Sequence, residues 1–184
     1  MAPMRHHVAM LRAPALALCL AAAALALPAA VRADPTPAQT LFTQKLIDDG
    51  GTTAAVKHLL QAKAGIVDPR SGFVDVTGDG RQDALVLVST QGAAGSVALY
   101  VFSTHGQKAG TTGDQTSLKV VFRLQSLYRA SLRISGTTLS VLEPVYAKGD
   151  DLCCPPKLRE RDYAFDAKKL TFVRTADHDT PFTK

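Results

Sequence analysis

Tryptophan is absent from the 184 residues, aromatic side chains make up only 6% of them, and the methionines stop at Met10. A core must therefore be built from Val, Leu, Ala and a few Phe and Tyr. Cysteine is scarce as well: Cys19, Cys153 and Cys154 are the whole supply. That excludes a disulfide-dense mini-protein. A dominant charge is also missing. The chain carries 21 Lys+Arg and 16 Asp+Glu, but Arg5, Arg12 and Arg32 precede residue 34 and no acid does, so the net charge beyond them falls from +5 to +2. Such a balance excludes a strongly basic nucleic-acid binder. The single long apolar run, Ala13–Leu27, excludes a multispanning membrane protein.

What is present begins with that run. Residues 1–12 are cationic, Ala13–Leu27 is rich in Ala and Leu, Pro28 breaks it, and Val31-Arg32-Ala33 places small residues at −3 and −1 of a cleavage site. This is the layout of a secretory signal peptide. A membrane anchor is the competing reading, because spanning takes ~20 apolar residues; alanine is weakly hydrophobic, however, and Pro14 and Pro28 interrupt the stretch. Leu18 stands before Cys19, where a lipobox wants a small residue, and no twin-Arg pair occurs. The expected product is cleaved after Ala33, secreted or periplasmic, with no membrane span once the signal is removed. Residues 34–184 then form a single domain, long enough to bury about 68–70% of its unfolded surface without staples.

Within that domain Thr36-Pro37-Ala38-Gln39 reads as a capping box with Pro at the first helical position. Ala38, Leu41, Phe42 and Leu46 follow at helical spacing until Gly50-Gly51, and a second helix runs from Thr53 to about Lys63. From Gly72 the period changes to two. Phe73–Val76, Ala84–Ser89 and Val97–Thr104 read as strands, the last two so continuously apolar that both faces should be covered. Leu118–Leu124 alternates like a strand with one wet face. Leu132–Leu142 and Tyr163–Val173 read as hairpins. The fold class predicted is α+β: two short N-terminal helices packed on an antiparallel β-meander of about six to seven strands. His105–Ser117 is a long Gly/Thr-rich loop, and the polar tail from about residue 175 is expected to be disordered.

Two short segments carry chemistry. In Asp75-Val76-Thr77-Gly78-Asp79-Gly80-Arg81-Gln82-Asp83, side-chain oxygens fall at loop positions one, three, five and nine, with the Arg81 carbonyl at seven and glycine at six. Calcium takes six to eight hard oxygens, and this spacing lets a tight loop gather them. Thr77 is a poorer ligand than Asp, and Val86 stands where an EF-hand has its bidentate Glu. The competing reading is a turn rich in Asp and Gly for backbone reasons. The run resembles the calcium loops of FG-GAP and dockerin-type repeats.

Cys153 and Cys154 are the second segment. An oxidising compartment favours a disulfide between them. Their Cα atoms, though, sit ~3.8 Å apart across a trans peptide, against the 4.4–6.8 Å that disulfides usually adopt. A vicinal disulfide is the leading expectation; a reduced pair, an intermolecular bridge and soft-metal ligation stay open. Pro155-Pro156 fixes the exit of the turn.

The order of Thr77–Ala84, Asp150–Pro155 and Tyr163–Asp166 resembles bacterial envelope proteins of the LppP/LprE lipoprotein type, over roughly Gly72 to Val173. The resemblance implies an envelope location and a compact β-rich domain and implies no reaction; the lipid anchor does not carry over, because the lipobox is missing. Searches for an enzyme find no G-x-S-x-G, H-E-x-x-H or S-x-x-K. Glu143 and Glu160 could form a carboxylate pair, Asp177-His178-Asp179 a metal tripeptide, and Arg159, Arg161, Lys168 and Lys169 a basic patch; solvated strand faces and a frayed terminus are the plainer readings. The expectation is a monomeric, non-enzymatic binding or interaction module for an envelope or extracellular ligand, with calcium as its candidate cofactor. A secreted hydrolase with a dispersed site and a thiol-dependent redox protein are the alternatives.

Overall fold

Thr36 opens α1 (Pro37–Asp48) with a complete capping box: its hydroxyl accepts from Gln39 N, and Gln39 Oε1 accepts from Thr36 N. Phe42 and Leu46 form the buried stripe of this helix, and Val56 and Leu60 that of α2 (Ala54–Gln61). The computed structural model describes residues 34–68, 73–105 and 117–182. The leader read as a signal peptide, and most of the His105–Ser117 loop, lie outside them.

Nine strands among the described residues make two antiparallel sheets. The first holds β1 (Gly65–Asp68), β2 (Phe73–Val74), β3 (Asp83–Thr90), β4 (Ser96–Ser103) and β5 (Lys119–Gln125) in the order β1-β3-β4-β5, with β2 paired to β3 as well. The second is the meander β6 (Ser131–Ser135), β7 (Thr138–Val145), β8 (Lys157–Asp166) and β9 (Thr171–Pro181).

The unbroken apolar runs of β3 and β4 separate into two stripes because successive strand residues point to opposite faces. Ala84, Val86, Val88, Ala98, Tyr100 and Phe102 join Phe42, Leu46, Val56 and Leu60 in one core. Leu85, Leu99 and Val101 join Leu139, Val141, Tyr163 and Phe172 of the second sheet in another. The layers are helices, sheet, sheet, and the middle sheet is covered on both faces. Phe122 anchors the sheet-to-sheet core, its ring 5.0 Å from that of Tyr163 and 5.3 Å from that of Phe172.

The α+β class and the two N-terminal helices stand. The single meander of six to seven strands does not: there are two sheets, and β1 was not foreseen. The switch between sheets falls in Ser126–Ala130, where Ser126 and Arg129 take φ of 72° and 49°. Leu127 N, Arg129 N and Ala130 N donate to carbonyls of Val97, Ala94 and Ser96, so the segment runs along β4 before leaving it. No Gly or Pro marks the crossing in the sequence. Gly95 does serve it, because a Cβ there would lie 3.2 Å from Arg129 Cα. The polar tail is also corrected. Residues 175–181 belong to β9 and pair with β8 from Asp162 to Lys157. Backbone pairing and ion pairs hold this ribbon where apolar burial is thin: Arg159 Nε meets Asp177 Oδ1 at 2.8 Å, and Arg174 meets the same carboxylate at 2.7 Å.

A polar clamp joins the helices to β5. Asp49 pairs with Arg123 at 2.9 Å, and Gln125 Oε1 accepts from both Thr53 N and the buried Tyr100 hydroxyl. Burial works against the Asp49 carboxylate, but hydrogen bonds from Arg123 and Thr52 outweigh it and hold its pKa below the usual value.

Candidate functional site

The Asp75–Asp83 loop turns its chemistry inward. Asp75 Oδ1 accepts from Gly78 N and Asp79 N, and Oδ2 from Gly80 N at 2.8 Å. Gly78 and Gly80 supply φ of 75° and 80°, the left-handed turns that bring these amides onto one carboxylate. Asp79 is engaged by Arg81, through its backbone N and its guanidinium, and by His105 Nδ1 at 3.3 Å. Burial would raise the Asp79 pKa, but the Arg81 hydrogen bonds and charge prevail and lower it. Asp83 is fully buried, and its Oδ2 accepts from Val76 N at 3.0 Å and Thr77 N at 2.9 Å. Here burial prevails over the hydrogen bonds from Ser103, Thr77 and Val76 and pushes the pKa up. His105 also sets its ring 4.8 Å from Phe165, which ties the loop to the second sheet.

The five positions proposed for calcium therefore do not present a common empty face. Asp75, Asp79 and one oxygen of Asp83 hold the loop's own amides and Arg81. Thr77 Oγ1 and Asp83 Oδ1 are buried and have no aligned hydrogen bond. Among the described residues no three His, Cys, Asp or Glu side chains are grouped to hold a metal ion.

The Asp150–Pro156 turn faces outward. Asp151 organises it: its Oδ1 accepts from Cys153 N at 3.0 Å and its carbonyl accepts from Cys154 N at 3.2 Å. Cys153 is exposed, Cys154 half-buried, and both are free thiols. The Cys153 thiol lies within hydrogen-bonding reach of the Cys154 sulfur and the Asp151 carboxylate, and these two, Cys154 foremost, push its pKa up to about 12.

Three residues outside the motif complete this face. The Leu152 carbonyl accepts from the Tyr146 hydroxyl at 2.9 Å and from the Arg129 guanidinium, which also bonds the Tyr146 oxygen at 2.8 Å. The Tyr128 ring stands edge-on to Tyr146 with centroids 6.3 Å apart. The Leu152 side chain is left 56% exposed. Tyr128, Arg129 and Tyr146 escaped notice because nothing in their spacing relates them to residue 152; only the sheet switch at Ser126–Ala130 brings them there. The one available signal was Tyr146, seven residues before Cys153; Tyr128 stands 25 residues before it.

The remaining candidates are dispersed. Across the β7–β8 register Leu142 faces Glu160 while Glu143 faces Arg159, so the two glutamates lie on opposite faces of the sheet. Glu143 pairs with Arg161, and buried Glu160 pairs with Arg133. Arg159 and Arg161 are thus held by acids, and Lys169 meets Asp166 at 3.4 Å. Asp177 and His178 alternate across β9, Asp177 toward Arg159 and Arg174, His178 toward Glu160 at 3.9 Å.

No protein-family model matches the chain, and neither a curated protein nor a solved structure matches it.

Proposed function

We propose that the chain is an exported, non-enzymatic interaction module that meets its partner through the face around Leu152. The observation that carries this reading is the cluster itself: an exposed Leu whose carbonyl is held by Tyr146 and Arg129, with the Tyr128 ring against Tyr146. Tyr and Arg dominate binding energy at interfaces, and aromatic anchors fixed before binding lose little entropy when a partner arrives. The leader supports export, and the resemblance to envelope proteins of the LppP/LprE type agrees with it. The acids of the strand faces lie apart rather than converging as a hydrolase site would need, and the Asp151 carboxylate beside Cys153 opposes its thiolate.

Site-specific photocrosslinking in the producing cell tests the face. A photoreactive phenylalanine analogue at position 152 should yield one discrete crosslinked partner, and the same residue at exposed Lys168 should not. Identical patterns from the two positions would remove the reading. Amino-terminal sequencing of the exported product should begin at Asp34.

A calcium ion at the Asp75–Asp83 loop would serve the scaffold rather than the face. What favours it is the pair of unbonded buried oxygens, Thr77 Oγ1 and Asp83 Oδ1; binding would require Asp79 to leave Arg81. The test is a melting temperature raised by millimolar calcium in the parent and not in Asp79→Ala. No shift in the parent eliminates calcium from the reading.

A further inference from the structure

We propose that Cys153 and Cys154 form a chelating dithiol site for a thiophilic trivalent centre that takes two sulfurs and keeps a substituent of its own, the chemical class being monosubstituted trivalent arsenicals. The proposal is independent of the docking face and stands or falls by itself.

Four features carry it. The first is the resistance of the pair to ring closure: neighbouring Cα atoms ~3.8 Å apart lie below the range of unstrained disulfides, so a bond between them is readily reduced. Secondly, the turn is held from both ends. Asp151 bonds the amides of both cysteines, Arg129 and Tyr146 bond the Leu152 carbonyl, and Pro155 is buried. Little ordering remains to be done when a ligand arrives.

Thirdly, the sulfurs are within hydrogen-bonding reach of each other and accessible, Cys153 fully so. Close spacing suits a pyramidal centre, whose two bonds to sulfur diverge at near a right angle. A linear two-coordinate ion would need the sulfurs on opposite sides of it. Lastly, the soft donors at the turn are two: Cys153 and Cys154 supply sulfur, and the neighbouring Asp151 carboxylate is a hard donor. A thiophilic centre that brings its own third substituent suits such a pair.

The step balances without an oxidant. An organoarsenic(III) oxide condenses with the two thiols: both S–H bonds and the arsenic–oxygen bond break, two arsenic–sulfur bonds form, and the oxygen leaves with both protons as water. Arsenic remains trivalent. Both thiol protons end on that water, so none is released to solution; the rate follows the population of attacking thiolate and rises with pH. Asp151→Asn, which removes the carboxylate opposing the Cys153 thiolate, should quicken capture several-fold at neutral pH.

Phenylarsine oxide is the probe, added to the full chain carrying Cys19→Ser and followed by intact mass and thiol titration. The expected result is one adduct per chain, both thiols lost together and both returned by 2,3-dimercaptopropanol. Cys153→Ser and Cys154→Ser should each abolish the adduct while leaving the circular dichroism unchanged. The proposal is overturned by any of three outcomes: no adduct on the parent, an adduct that survives in either serine variant, or a parent isolated with its two cysteines already bonded to each other or to a second chain.

Discussion

The Asp75–Asp83 loop and the Asp150–Pro156 turn are comparably dense in chemically capable side chains, and each looks like a site when read along the chain. They differ in where those groups are directed. In the first, Asp75 and Asp83 accept five backbone amides between them, and Asp79 is taken by Arg81 and His105. In the second, one aspartate fixes the backbone and the remaining groups, the Leu152 side chain and the Cys153 sulfur, are left toward solvent. A turn most of whose polar atoms are satisfied internally is built first as a structural device. A turn braced from behind, with its soft and apolar groups free, is a surface on which something can bind.

The largest test of this contrast is Asp83→Ala. It strands the buried amides of Val76 and Thr77, and unfolding in urea should show a loss of about 2–6 kcal/mol, at about 1–3 kcal/mol for each orphaned donor. Asp83→Asn keeps an acceptor for those amides and should cost far less at neutral pH. The two carboxylates of the loop also give opposite pH slopes. Asp83, with its pKa raised in the fold, contributes stability that is fully present below the unfolded pKa and is lost as pH rises through the folded value. Asp79, with its pKa lowered, contributes stability present above the unfolded pKa and lost as pH falls through the folded one. Stability measured against pH should therefore lose its Asp83 slope in the Asn variant and keep that of Asp79.

A smaller effect is expected from Asp75→Ala. Its three amides come from Gly78, Asp79 and Gly80, of which the two glycines are exposed, so water can replace much of the carboxylate. A loss of about 1 kcal/mol by thermal denaturation is the expected scale. If this loss matched that of Asp83→Ala, burial would not be what separates the two aspartates.

In the outward turn the expected changes are functional rather than energetic. Asp151→Asn should bring the Cys153 pKa down from about 12, read as faster iodoacetamide alkylation at mildly alkaline pH. An unchanged pH profile would mean that Cys154 alone holds the proton. Leu152→Ala should leave stability within about 0.5 kcal/mol, as for other surface substitutions. A larger loss would place Leu152 in the scaffold and collapse the distinction between the two regions.

Much of the scaffold was legible beforehand. The Thr36–Gln39 box and the helical stripe through Phe42 and Leu46 are local patterns, and the doubly apolar β3 and β4 announced a layer covered on both sides. The division into two sheets was hidden, because Ser126–Ala130 turns through left-handed residues that are not glycine. The strand status of residues 175–181 was hidden too. Their polarity reads as a solvated tail, and what orders them is a partner strand and a set of arginines on it.

By itself, then, the sequence determined the two helices and most of the strands, which strands have two apolar faces, and where reactive residues cluster. These depend on near neighbours, whose spacing along the chain is fixed by covalent geometry. Only the tertiary structure decided which cluster is closed and which is open. Asp83 is buried because β3 lies in the middle layer, and Leu152 is braced because the sheet switch carries Tyr128 and Arg129 to it. Whether a polar group finds a partner inside the fold or faces solvent depends on contacts between residues far apart in the chain, and local spacing does not encode them.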